Sequence, residues 1–299
     1  MPIMKMLVKQ FLKKPQTSEE YKFMSIKLMY ITNRTDIALI AESAGVNRIF
    51  VDLEYIGKNL RQGGMDTVQN RHTPSDAAAI KKVLTKSELL VRVNPIHDAT
   101  NDYNSTEDEI NEVVAAGADI IMLPYFKTAN DVKRFINAVN GRTKTMLLFE
   151  SAASVENIDS ILALDGIDEV YIGLNDLSLD YGRKFLFSIL ADGTVEKITE
   201  KFKEKNLSFG FGGMATLDGG ALPGKKVLPE HYALGSTCVI LSRAFCNSNT
   251  IKNLDEIKII FEDGVKKIRE YEEFCIKQNV EFFKQNHAEL QKIVEEICK

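Results

Sequence analysis

The chain lacks a concentrated basic face, a paired-cysteine motif and any long apolar run, and each absence removes a class of protein. Acids (42) and bases (38) are interspersed for a formal charge of −4, which argues against a nucleic-acid partner. Cys238, Cys246, Cys275 and Cys298 show no C-x-x-C spacing and all sit late in the chain. Structural disulfides and a cysteine zinc site are therefore not expected, and a reducing cytoplasm is the expected setting. No stretch approaches the length of a transmembrane helix, so no membrane span is expected. The opening MPIMKMLVKQFLKKPQ has no apolar signal core and no small-residue cleavage site, so it is not read as a secretory leader. Met4, Leu7, Val8, Phe11 and Leu12 instead alternate with lysines at helical spacing. That pattern predicts a packed amphipathic N-terminal helix, with a membrane-surface anchor as the alternative.

What is present is the composition of a soluble globular protein, 44% hydrophobic and 27% charged. Its 299 residues suit one large α/β barrel or two ordinary domains. One rhythm recurs along the chain: an apolar, β-rich run, then polar residues, then a helical pattern. The runs are residues 26–32, 48–54, 88–95, 119–126, 145–151, 169–176, 208–214 and 237–245. Several of the intervening helical stretches end in glycine, the expected stop signal. Strands apolar on both faces are those of a parallel sheet covered by helices. Eight such units predict a (β/α)₈ TIM barrel as a single domain over 1–299, with its core at about 26–251. No G-x-G-x-x-G follows the first run, which removes the main argument for a dinucleotide-binding sheet. Residues 252–299 read as long charged helices with more apolar residues than one closing helix needs. The surplus is expected to pack on a neighbouring subunit or back on the barrel, and a homo-oligomer is expected.

In this fold reactive groups sit where strands end, at the C-terminal mouth. The runs end in Asp52-Leu53-Glu54, Arg92-Val93-Asn94, Glu150 and Asn175-Asp176. Glu150 and Asp176 end consecutive runs, which places them on neighbouring strands about 4.8 Å apart. Two carboxylates converging there repel unless a proton or a cation lies between them. Without histidine or thiolate partners they suit a hard divalent ion, Mg²⁺ or Mn²⁺. Two protein ligands would leave positions for a small-molecule 2-oxo acid, whose carbonyl the ion would polarise. Arg92, on the other side, can add positive charge to the same oxyanion. Helix capping or lysine pairing by Glu150 and Asp176 is the competing reading.

From about residue 26 to 246 the chain resembles the HpcH/HpaI aldolase and citrate lyase family of metal-dependent (β/α)₈ enzymes. The matching pieces are FVDLE at 50–54, LVRVNP at 90–95, GADIIMLP at 117–124, LLFESAASVENID at 147–159 and GIDEVYIGLNDLS at 166–178. The resemblance implies Glu150 and Asp176 as metal ligands, Arg92 beside the keto group, and main-chain N–H groups around Asn175 and Asp176 receiving the substrate carboxylate. The chain also departs from the family. Pyruvate-type members carry a histidine after the strand-two acid, D-x-E-H, where this chain has DLEY with Tyr55. The citrate-lyase-like branch has DLED, and LPK after strand four, where this chain has LPYF. A tyrosine is a poor base near neutral pH unless strongly perturbed.

The segment after strand two, YIGKNLRQGGMDTVQNRHTPSD, is too long and polar for an ordinary turn. It holds Lys58, Arg61, Arg71 and His72, and reads either as a lid that clamps an anionic substrate or as a solvated loop. His72 is a candidate replacement for the missing histidine, although Thr73-Pro74-Ser75 behind it reads as the start of a helix. Asn94 and Gly213, the latter in a glycine-rich segment after strand seven that precedes a helix predicted at Pro229, are further candidates for substrate contact. His231 is expected to pack, and His97 and His287 to be ordinary surface residues. These features point to a divalent-metal-dependent carbon–carbon lyase acting beside a pyruvate-like 2-oxo acid. The alternatives are an acyl-CoA lyase or hydrolase of the citrate lyase β type, and an inactive barrel with a binding or assembly role.

Overall fold

Short strands that are apolar on both sides need cover on both sides, and the chain supplies it by closing its sheet on itself inside a ring of helices. A computed structural model describes residues 25–57 and 72–299. The predicted N-terminal helix and the loop residues Lys58, Arg61 and Arg71 lie outside the described residues. The strands are β1 (Lys27–Ile31), β2 (Arg48–Asp52), β3 (Glu88–Arg92), β4 (Ile120–Leu123), β5 (Lys144–Phe149), β6 (Glu169–Ile172), β7 (Ser208–Met214) and β8 (Cys238–Leu241). All neighbours pair in parallel, in the order β1 to β8, and β8 closes on β1 with Lys27 opposite Cys238. The described helices through β6 are α1 (Thr35–Ser43), α2 (Pro74–Val83), α3 (Thr106–Ala115), α4 (Ala129–Val139), α5 (Ala152–Glu156) and α6 (Ile158–Ile161). After β6 come α7 (Leu174–Asp180), α8 (Ser188–Ala191), α9 (Thr194–Glu204), α10 (Gly224–Leu234), α11 (Leu254–Ile276) and α12 (Val280–Cys298). The fold is the expected (β/α)₈ barrel.

Alternate strand residues face opposite ways. Met29, Phe50, Leu90, Met122, Met146, Tyr171 and Cys238 belong to one buried cluster that fills the lumen. Ile49, Val51, Leu89, Val91, Ile121, Leu147 and Val170 belong to the larger layer beneath the helices. Tyr171 crosses the lumen, donating its hydroxyl to Gly212 O and accepting from Ile240 N at 3.0 Å. Gly210 has to be glycine to admit this ring, because a Cβ there would lie 2.6 Å from it and 2.3 Å from Cys238 O. The opposite, N-terminal end is closed by charge. Arg48, fully buried, reaches Glu169 at 2.6 and 2.8 Å and Glu88 at 2.8 Å, all three standing at the starts of their strands.

Helix starts follow from local chemistry. Thr73 and Thr128 cap α2 and α4 in reciprocal boxes with Asp76 and Asp131, each such cap contributing about 1 kcal/mol. One start departs from expectation. Helix α10 begins at Gly224, and Pro229 lies inside it. A proline there cannot donate to the carbonyl four residues back, that of Lys225. The Tyr271 hydroxyl donates to that carbonyl instead, at 3.2 Å.

The C-terminal helices pack back on the barrel. Helix α11 buries Ile257, Phe261, Val265 and Ile268, and its Glu272 accepts from Ile26 N at 2.7 Å. Helix α12 docks on α10 through a buried carboxylate: Glu230 accepts from Asn286 Nδ2 at 2.7 Å and from His287 Nδ1 at 2.8 Å. His287 is thus half-buried and paired, not the ordinary surface residue expected. Among the described residues no helix is long and apolar enough to cross a membrane.

Candidate active site

The strand register brings the first pair of candidate groups together. Asp52 and Arg92 are the last residues of β2 and β3 and stand opposite each other in the ladder. Arg92 Nε and Nη2 donate to the two Asp52 oxygens at 2.8 and 2.9 Å, and its Nη1 lies 3.2 Å from Glu54. The guanidinium, 14% exposed, also lies over the Phe50 ring, 5.6 Å from its centroid. Burial works against its charge, but Asp52, Glu54 and Glu150 outweigh it and hold its pKa well above the usual value. Arg92, the residue expected beside a substrate oxygen, is held in place as the cation of an acidic cluster.

Glu150 directly follows β5 and is 3% exposed. Its Oε1 accepts the main-chain N–H of Tyr125 at 3.0 Å. On its other side stands Gly173, where a Cβ would lie 2.9 Å from Glu150 Cβ and Oε2. Asp176, 8% exposed, comes from the neighbouring β/α unit. It does not end a strand as expected: β6 stops at Ile172, and Asp176 is the third residue of α7, where a helix favours an acidic group. Asn175 precedes it and donates from Nδ2 to Asp176 Oδ1 at 3.0 Å. A carboxylate received by the main chain at 175 and 176 would therefore lie at the first turn of α7.

Among the described residues no group of three or more His, Cys, Asp or Glu side chains forms a metal cage. A cation at the mouth would take its protein ligands from the Glu150–Asp176 pair. Two buried carboxylates from adjacent units are hard oxygen donors and fit Mg²⁺ or Mn²⁺, ions that keep several positions for water or ligand.

The other candidates fall in different places. Tyr55 is 49% exposed and meets Tyr103 edge-on at 6.4 Å. Burial and Glu109 raise its pKa, so the phenol is protonated at neutral pH and is no base. His72 Nδ1 accepts the N–H of Asp52 at 3.0 Å, which commits the lone pair a base would use, and Thr73 after it caps α2. Asn94 Oδ1 accepts from the N–H groups of Tyr55 and Ile56, both at 2.9 Å, and its Nδ2 donates to Glu109 at 2.8 Å. It thereby anchors the chain leaving β2. Gly213 lies on β7 with its Cβ position 3.4 Å from Ser242 Cβ; the glycine that the backbone requires is Gly212, at φ +62°. His231 packs as expected, stacked on Phe211 at 3.9 Å, and burial lowers its pKa to about 3. His97 is no plain surface residue: its ring nitrogens lie 2.7 and 2.9 Å from Pro95 O and Asn104 O, bracing the turn after β3. The part played by Tyr125 is not legible in the sequence, because a side chain that is unremarkable in LPYF conceals what its main chain does.

A closed parallel barrel with buried acidic groups where its strands end defines a (β/α)₈ protein with a candidate site at the C-terminal mouth. The sequence profile of the HpcH/HpaI aldolase/citrate lyase family matches residues 29–185, and the chain belongs to that family. It is 23% identical over 211 residues to a 4-hydroxy-4-methyl-2-oxoglutarate aldolase of Chaetomium globosum, covering 60% of this chain and 71% of that one. It is also 23% identical over 155 residues to a hydroxypyruvate/pyruvate aldolase of Roseovarius nubinhibens, covering 48% of this chain and 59% of that one. Among solved structures, an HpcH/HpaI aldolase from Desulfitobacterium hafniense superposes with a TM-score of 0.54 at 18% identity, covering 84% of this chain and 96% of that one. A family member from Burkholderia cenocepacia gives 0.55 at 14% identity, covering 81% and 100%. At such identities the structural likeness shows the fold.

Proposed function

We propose that the chain is a divalent-metal-dependent carbon–carbon lyase that makes or breaks the bond beside a pyruvate-like 2-oxo acid. The observation that supports this reading is the burial of two carboxylates from consecutive β/α units of an aldolase-family barrel, Glu150 directly after β5 and Asp176 in the first turn of α7. When bound there, Mg²⁺ or Mn²⁺ supplies Lewis acidity toward a keto oxygen. Arg92, held by Asp52 and Glu54, keeps a fixed positive charge within reach of Glu150 and of an oxygen that gains charge beside it. Asp52 and Glu54 orient that arginine, so it need not reorganise as charge develops. Neither the Tyr55 phenol nor His72, whose Nδ1 accepts the Asp52 N–H, is placed to take the proton of a 4-hydroxyl group, which would pass to water.

The relatives' names support the substrate class. One acts on 4-hydroxy-4-methyl-2-oxoglutarate, a 2-oxo acid with a second carboxylate, and the other on hydroxypyruvate or pyruvate. Lys58 and Arg61 in the segment after β2 favour an anionic tail of that kind. A retro-aldol screen of neutral and dicarboxylic 4-hydroxy-2-oxo acids, reading the released 2-oxo acid with and without chelator, tests the reading. Release that needs Mg²⁺ or Mn²⁺ and favours the dicarboxylic acids is expected. Release from none of them, or release indifferent to chelation, overturns it.

A further inference from the structure

Tyr125 holds its main chain in the left-handed region, at φ +46°. A bulky side chain adopts that region only at a steric cost, because its Cβ crowds the following carbonyl. The other non-glycine residues with positive φ among the described residues are Asn140 and Asn206, a residue type that tolerates it. The neighbour of Tyr125 explains how the turn is held. Phe126 is buried, its ring meets Phe149 edge-on at 5.0 Å, and its carbonyl accepts from Ser151 Oγ at 3.1 Å. Phe149 and Ser151 are the two residues flanking Glu150. The chain on either side of the metal-ligand candidate therefore clamps the segment after β4.

What the turn achieves is the hydrogen bond from Tyr125 N–H to Glu150 Oε1 at 3.0 Å. The second oxygen, Oε2, lies against Gly173, where a Cβ would come within 2.9 Å of it. One oxygen accepts from a main-chain donor, and the other lies where a side chain at position 173 would intrude. A carboxylate restrained in this way has its plane fixed before any ligand arrives. Strained main chain persists where the surroundings over-determine it, often beside a functional group.

We propose that Tyr125 is a positioning residue: its strained main-chain turn aims the Glu150 carboxylate into the barrel mouth, an inference that rests on reading Glu150 as a metal ligand. The side chain is dispensable for this role, and the φ angle is not. Partners that orient a metal-binding carboxylate typically contribute about 10- to 100-fold in affinity. Titration of Mn²⁺ alone into the full chain then separates three variants. Tyr125→Phe and Tyr125→Gly keep the turn and bind Mn²⁺ as wild type does. Tyr125→Val, whose β-branched side chain disfavours positive φ, binds about 10- to 100-fold more weakly.

A metal-free measurement keeps the inference distinguishable from the reading beneath it. In amide spectra of the apo protein, the Tyr125 proton is expected to lie downfield and to move upfield in Glu150→Gln, which weakens a charge-assisted bond. If wild type binds no Mn²⁺ but this proton responds, the metal reading falls and the positioning of Glu150 stands. A Tyr125 proton unmoved by Glu150→Gln overturns the inference, as does wild-type Mn²⁺ affinity in folded Tyr125→Val.

Discussion

Arg92 and Asp52, the last residues of adjacent strands, face each other through two parallel hydrogen bonds of 2.8 and 2.9 Å. This is the bidentate geometry that only a planar guanidinium can make. Lysine in its place keeps the charge and loses the fork. Arg92→Lys is expected to lower kcat by about 100-fold, the scale of losing one oriented donor, with only a small change in unfolding midpoint. Steady-state kinetics beside thermal melting check this. Normal kcat would show that the pair serves the fold alone.

The barrel floor carries a larger stability stake than the mouth. Arg48 is fully buried and bridges Glu169 and Glu88 from three different strands. Arg48→Met leaves the Glu169 carboxylate buried without its partner and is expected to cost about 3–5 kcal/mol in urea unfolding. Adding Glu169→Gln, which removes that charge, recovers a substantial part. A single variant as stable as wild type would mean the cluster contributes nothing.

The docking of α12 is expected to depend on pH. Glu230 raises the pKa of His287 above its usual 6.5, against the opposing effect of burial, with Glu196 adding to the rise. A raised folded-state pKa gives stabilisation that is complete below about 6.5 and is lost as pH rises through the folded value. Amide exchange in α12, corrected for intrinsic rates, should therefore quicken as pH rises above about 6.5. His287→Gln should flatten that dependence. An unchanged profile in the variant would assign the effect to another group.

Much of the fold is legible in the sequence because both its signals are local. Apolar runs such as IKLMYIT and RIFVDLE are buried on both faces in the barrel, as β1 and β2 are. The strand ends were less legible. The run 169–176 stops as a strand at Ile172, since Leu174 and Leu177 bury themselves at helical spacing and pull Asn175 and Asp176 into α7. The start of α10 is not legible in the sequence because a proline usually marks the first turn, and the hydroxyl that compensates for Pro229 comes from Tyr271, far along the chain. Glu150, Asp176 and Arg92 stand out as candidates because they close apolar runs. The engagement of Arg92 by Asp52 depends on ladder register, and the left-handed turn at Tyr125 depends on packing of Phe126 against Phe149. Neither leaves a mark on residue type.

On the proposed reading, Glu150 and Asp176 jointly hold a divalent ion at the barrel mouth. Calorimetric titration of Mn²⁺ into wild type, Glu150→Gln and Asp176→Asn tests it most directly. One site per chain is expected in wild type, with affinity lower by at least about 100-fold in each variant, because removing either carboxylate halves the protein's ligand set. The unfolding midpoints should remain close to that of wild type. Wild-type affinity in both variants, or no Mn²⁺ binding by the wild-type chain, would contradict it.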